Sequence, residues 1–233
     1  MKTHGILNAF QLKIIMLVLM LLDHMQLFLF PRELLPAHYV ARVVAPVFAF
    51  LAAQGMVYTR NRLRFVLRLS LFGVIMALGN FILYLKTGYE IPNNIFFSLA
   101  IGAAAIYVID ELRQSKGFYI ALWLAVVVIL AFVTPYCEGG FLVPVIMLIF
   151  YYLRNRRPVM YAVYVIGYGL QFLMAYFNTG YLQPQFYMIF AVIPIMLYNG
   201  RRGPDTAFAK YLFYGFYPLH VWILFIISGI IAG

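Results

Sequence analysis

An all-α, polytopic membrane bundle is the fold class this sequence predicts, and three observations predict it. Of the 233 residues, 65% are hydrophobic and only 10% are charged, whereas about a quarter of a soluble domain is charged; the mean hydropathy is +0.92. The apolar residues run in stretches close to the length of about 20 that a spanning helix needs. Basic residues cluster in alternate connections between those stretches, as the positive-inside rule describes. The net charge of +10 therefore reads as a topology signal, and no nucleic-acid partner is expected. Short connections, with no linker, low-complexity stretch or convincing repeat, predict a single domain over residues 1–233.

Nine segments are predicted to cross the bilayer, at roughly 11–30, 40–58, 64–85, 94–110, 117–134, 139–153, 158–177, 183–199 and 210–231. Breakers stand at the joins: Pro31, Pro92, Gly117, Pro135, Gly139, Gly140, Pro158 and the run Gly200 to Pro204. The first apolar run is too long for a cleavable signal peptide, and no small-residue cleavage pattern follows Phe30. Arg60, Arg62 and Arg64 follow the second segment, and Arg113 and Lys116 the fourth. Arg154, Arg156 and Arg157 follow the sixth, and Arg201, Arg202 and Lys210 the eighth. The other connections hold Arg32 and Arg42, then Lys86, then Glu138, then no charge. This alternation predicts a cytoplasmic N-terminus and an outer C-terminus. It also supports the sixth segment, which is short for a span; without that crossing the Arg154 cluster would lie outside. The topology puts Lys13 near the inner face and His24 in the outer half. Arg42, Asn80, Asn93 and Asn94 fall towards the outer face, and His220 near mid-depth.

Ionisable side chains inside spanning helices are costly and mark functional sites by default. Lys13 and His24 are eleven positions apart in the first segment, close to three helical turns, so they share a stripe and stand about 16 Å apart along the axis. An imidazole at that depth can take a proton from an amine or hydroxyl, or carry an acyl group. Asp23 points about 100° away from its neighbour and is expected to pair with Arg42, as a structural or a catalytic pair. His220, just after Pro218, reads either as an orienting or relaying group or as a core histidine bonded to a tyrosine hydroxyl. Pro218 is expected to kink or unwind its helix. In YNGRRGPD, Tyr198 to Asp205, glycines flank Arg201 and Arg202. Guanidinium groups bind phosphate and glycines admit a ligand close to the backbone, although an ordinary membrane anchor reads the same way. TRNRLR, with Arg60, carries the same two readings.

Other chemistries lack their motifs. There is no P-loop, GxGxxG or GxSxG, and the chain has four serines. The four histidines show no HExxH or comparable spacing, so no metal is expected. The lone Cys137 allows no intramolecular disulfide and reads as inert filler. The 18% aromatic content reads as an interfacial belt.

The runs LKIIMLVLMLLDH, ARVVAPVFAFLAAQG with TRN soon after, PNNIFFSLAIG, YNGRRG and KYLFYGFYPLH stand in an order that resembles the TraX family over nearly the whole chain. That family is associated with N-terminal acetylation of F-type conjugative pilin, and is similar to membrane acyltransferases of the acyltransferase-3 type. Those carry a basic residue, ten intervening residues and a histidine in their first helix, the spacing of Lys13 and His24. The resemblance implies a multi-pass protein of the bacterial cytoplasmic membrane. It implies acetyl-CoA, or another acyl-CoA, as co-substrate, with transfer to an amine or hydroxyl acceptor at the outer face: a peptide N-terminus, a polysaccharide or a small molecule. His24 and Asp23 are then the expected catalytic residues, with Arg42, Asn80, Asn93, Asn94 and His220 as supporting polar groups. Lys13, Arg60, Tyr198, Asn199, Arg201 and Arg202 are expected to bind the acyl-CoA, with the four cations holding its phosphates. Buried His, Asp and Arg also mark proton relays, so a proton-coupled transporter or exporter of a small polar solute stays open, as does a structural assembly factor.

Overall fold

The computed structural model describes residues 5–204 and 206–232, and only the backbone of Lys210 and Ala232. Asp205 and the Lys210 side chain, both counted above in the last basic loop, lie outside the described residues. Among the described residues ten α-helices follow one another: α1 (Ala9–Phe28), α2 (Leu35–Ala41), α3 (Val44–Tyr58), α4 (Arg62–Thr87), α5 (Ile95–Gln114), α6 (Phe118–Val133), α7 (Leu142–Tyr152), α8 (Arg157–Thr179), α9 (Val192–Met196) and α10 (Ala207–Ala232). Thr134–Tyr136 and Pro184–Ala191 are 3₁₀ turns. Among the described residues, the β-pairing amounts to one isolated bridge, Leu7 to Tyr198.

Among the described residues, seven helical stretches are long and apolar enough to cross a membrane: Ala9–Phe28, Leu35–Tyr58, Arg62–Thr87, Ile95–Gln114, Phe118–Tyr136, Arg157–Thr179 and Ala207–Ile231. The other two predicted segments are shorter apolar helices, Leu142–Tyr152 and Pro184–Met196. At 1.5 Å per residue, the 11 residues of α7 reach about 16 Å, half of a hydrocarbon core about 30 Å thick. The second span begins at Leu35 instead of 40, because the short α2 precedes α3.

The chain forms two compact units, residues 1–48 with 161–233, and residues 49–160. In the first, α1 starts with a capping box: Asn8 Oδ1 accepts from the Gln11 amide at 2.9 Å, and Gln11 Oε1 accepts from the Asn8 amide at 3.0 Å. The next two amides, of Ala9 and Phe10, donate to the carbonyls of Arg201 and Arg202 at 2.9 and 3.2 Å. All four orphan donors of this helix start are thereby satisfied. Gly203, at φ +80°, allows the approach; a Cβ there would stand 2.7 Å from Asn8 Oδ1. Leu12, Met16, Met20 and His24 recur every four residues and are buried, forming one stripe along α1. α10 lies beside α1 and runs in the same direction, with ring pairs Phe10–Phe213, His24–His220 and Phe28–Phe225 at 5.8, 4.9 and 6.1 Å.

In the second unit, α5 packs against α4, α6 and α7, and its run Ser98 to Ala103 is buried throughout. Small residues make this possible, because they let helix backbones approach closely in a membrane. At Gly102 a Cβ would meet the Met147 side chain of α7. By contrast α6, FYIALWLAVVVILAFV, has no charged side chain and no buried residue, which suits a lipid-facing helix.

Candidate active site

His24 and His220 face each other in the first unit, both buried, with His24 Nδ1 and His220 Nε2 at 2.7 Å. His220 Nδ1 stands 2.7 Å from the Phe216 carbonyl. A carbonyl can only accept, so His220 carries a proton on Nδ1. In the neutral ring its Nε2 is then an acceptor, and His24 must donate to it from Nδ1. The lone pair of His24 is thereby assigned to Nε2. His220 is stacked on Phe216 at 4.7 Å, and its hydrogen bonds go to His24 and to backbone, not to a tyrosine hydroxyl. Pro218 is accommodated inside a helix that continues past it, so the expected unwinding does not occur.

Asp23 forms the predicted pair with Arg42, whose Nη2 donates to Oδ2. Its other oxygen, Oδ1, takes a partner that the sequence reading did not single out: His38 Nδ1, at 2.8 Å. His38 falls two residues before the predicted second segment, 40–58. The structure puts it on α2, four residues from Arg42, whose Nε donates to the His38 carbonyl at 3.2 Å. The spacing H-x-x-x-R beside an aspartate-bearing helix was the signal available for it.

Lys13 is half-buried with Nζ 4.8 Å from the Phe213 ring centroid, so both predicted members of the α1 stripe meet α10. Arg201 and Arg202 are exposed on the loop stitched to the start of α1, the same end of the helix as Lys13. Tyr198 and Asn199, just upstream of Gly200, shape that loop. Tyr198 is 2% exposed, and Asn199 Oδ1 accepts from the Arg201 amide at 2.9 Å.

The remaining predicted residues belong to the second unit. Asn80 Nδ2 donates to the carbonyls of Ile91 and Asn93 at 2.9 and 3.2 Å. Asn94 donates from Nδ2 to the Gly73 carbonyl at 2.9 Å and from its amide to Glu138 Oε2 at 2.6 Å. These asparagines tie the α4–α5 connection together. Arg60 is exposed. Its neighbour Arg62 donates to Asp110 Oδ2 at 2.8 Å, and the Tyr151 and Tyr152 hydroxyls donate to the same carboxyl at 2.7 and 2.9 Å. Burial pushes the Cys137 thiol up from its ordinary pKa, the opposite of what activates a nucleophilic cysteine.

Over 244 aligned residues the chain is 26% identical to a probable fimbrial assembly protein FimC, serogroup H1, of Dichelobacter nodosus, covering 93% of this chain and 94% of that one. No solved structure matches. The family profile described as TraX protein matches residues 9–228, nearly the whole chain, and this membrane protein belongs to the TraX family.

Proposed function

We propose that this protein is a transmembrane acyltransferase that moves an acetyl or short acyl group from cytoplasmic acyl-CoA to an amine or hydroxyl at the outer face. The acceptor is a subunit of a surface fibre, a reading supported by the relative named as a fimbrial assembly protein. The observation that carries the proposal is the hydrogen-bond chain from the Phe216 carbonyl through His220 to His24. It sets the proton on one ring nitrogen of His24 and the lone pair on the other, as a base or nucleophile requires. Lys13, Arg201 and Arg202 at the start of the α1–α10 pair offer cations to CoA phosphates. A pantetheine arm running along the α1 face would cover the roughly 16 Å to His24. At the thioester, His24 Nε2 either bonds to the acyl carbon itself or assists the acceptor as it bonds there; in both cases the carbon–sulfur bond breaks and CoA leaves as the thiolate. Nine crossings, with the two shorter helices included and the N-terminus cytoplasmic, put every Arg-rich connection on the CoA side.

The test uses purified protein in nanodiscs with acetyl-labelled acetyl-CoA and a peptide bearing a free N-terminus. The expected result is CoA release with label on the peptide. His24→Ala lowers the rate by about 10²- to 10⁴-fold, the contribution of a positioned acid–base group. Absence of CoA binding, with His24→Ala cells indistinguishable from wild type, removes this reading.

A further inference from the structure

We propose that His38 is the general base that takes the proton from the acceptor, with Asp23 as its positioning residue. The inference rests on the acyltransferase reading above and adds a second histidine to it.

Arg42 holds Asp23 Oδ2, and Oδ1 stands 2.8 Å from His38 Nδ1. A carboxylate in the grip of a guanidinium has no proton to give, so Nδ1 is the donor and the neutral ring keeps its lone pair on Nε2. His38 Nε2 has no hydrogen-bond partner among the described residues. The His38 side chain is 25% exposed, against 5% and 6% for His24 and His220. A purely structural reading leaves this imidazole unexplained, because Arg42 alone already balances the charge of Asp23. The ring is also held in place. Arg42 Nε binds the His38 carbonyl, and Tyr39, the next residue on α2, packs on Tyr187 at 5.0 Å. A carboxylate that orients an imidazole through one nitrogen and leaves the other accessible is the arrangement of an acid–base dyad.

Asp23 and His24 are consecutive on α1, with Cα atoms about 3.8 Å apart, so the two histidine systems branch from one point of the helix. The buried His24–His220 pair faces the acyl group. The accessible His38 faces the acceptor. As the acceptor nitrogen or oxygen attacks the acyl carbonyl carbon, that bond forms. The bond from the carbon to its leaving group, the CoA sulfur or a ring nitrogen of His24, breaks with its electron pair. The acceptor's proton passes to His38 Nε2 and from there to the departing group or to solvent.

The deciding variant is His38→Asn, whose amide can still donate to Asp23 but offers no base at the Nε2 position. In nanodiscs with acetyl-CoA and the free-N-terminus peptide, the expected result is acetyl-CoA binding unchanged and transfer to peptide at least about 10²-fold lower. Added imidazole should restore part of the activity of His38→Ala. Transfer by His38→Asn within twofold of wild type overturns the inference while leaving the acyltransferase reading intact. Wild-type protein that transfers nothing defeats both. A readout independent of activity is carbethoxylation by diethyl pyrocarbonate, mapped by mass spectrometry. His38 should react at least tenfold faster than His24 and His220, and Asp23→Asn should slow it. Equal protection of the three histidines overturns the dyad whatever the activity.

Discussion

The two histidine systems make different demands at the level of single side chains. For His24 the partner is another imidazole, and its value lies in fixing a tautomer. His220→Phe keeps an aromatic ring on Phe216 but removes the acceptor of the His24 proton. It should lower transfer at least tenfold, with little change in thermal unfolding in detergent. Asp23 and Arg42 are a different case, since each compensates a charge the helix bundle would otherwise have to hold alone. Breaking a fully buried pair costs about 3–5 kcal/mol. Here the side chains retain 16% and 18% exposure, so a cost of about 1–2 kcal/mol is expected for Arg42→Gln after allowance for solvent screening. A double-mutant cycle with Asp23→Asn should return a coupling energy of that size; additive effects would argue against a stabilising pair.

Two helix starts are held by groups distant in sequence. The first turn of α1 is completed by the loop carbonyls of Arg201 and Arg202, and that contact needs a glycine at 203. Gly203→Ala must place a side chain at φ +80° and push it against Asn8. It should cost about 1–2 kcal/mol from backbone conformation alone and open the loop to protease. Asn8→Ala, which removes the capping carboxamide and leaves the Gln11 amide without its acceptor, should cost about 1 kcal/mol. The start of α5 receives Glu138 on the Asn94 amide, where a negative charge also favours the helix dipole. The sequence reading used Glu138 only as a loop charge. Nothing local indicates that a residue 44 positions away would cap that helix.

Topology imposes a constraint on the molecule as a whole. Since α1 and α10 run parallel, an odd number of crossings must lie between them; five long spans do, so the two short helices either both cross or both do not. Seven and nine crossings each leave Arg201 and Arg202 on the side where α1 begins. They differ in the side of the Arg154–Arg157 connection. On the nine-crossing topology, Cys137 should react with an impermeant maleimide from outside only. Asn155→Cys, in a Cys137→Ser background, should react from inside only. Outside labelling at 155 would reduce the count to seven. Because burial raises the Cys137 thiol, the thiolate fraction at neutral pH is small, and its labelling rate should climb as pH is raised.

Composition and hydropathy determined the membrane bundle by themselves, because burying a helix in lipid requires about 20 apolar residues in a row and that pattern is written locally. The Lys13–His24 stripe and the Asp23–Arg42 pair were legible too, the first from helical period and the second from the cost of leaving a buried charge alone. What only the tertiary structure decided is which imidazole meets which partner. His220 lies 196 residues from His24 and His38 lies 15 from Asp23. The H-x-x-x-R spacing marks His38 as a candidate, but the contacts themselves depend on how α10 and α2 pack on α1. The same holds for the helix lengths at α7 and Pro184–Met196, where packing and turn geometry, not apolar composition, set the ends.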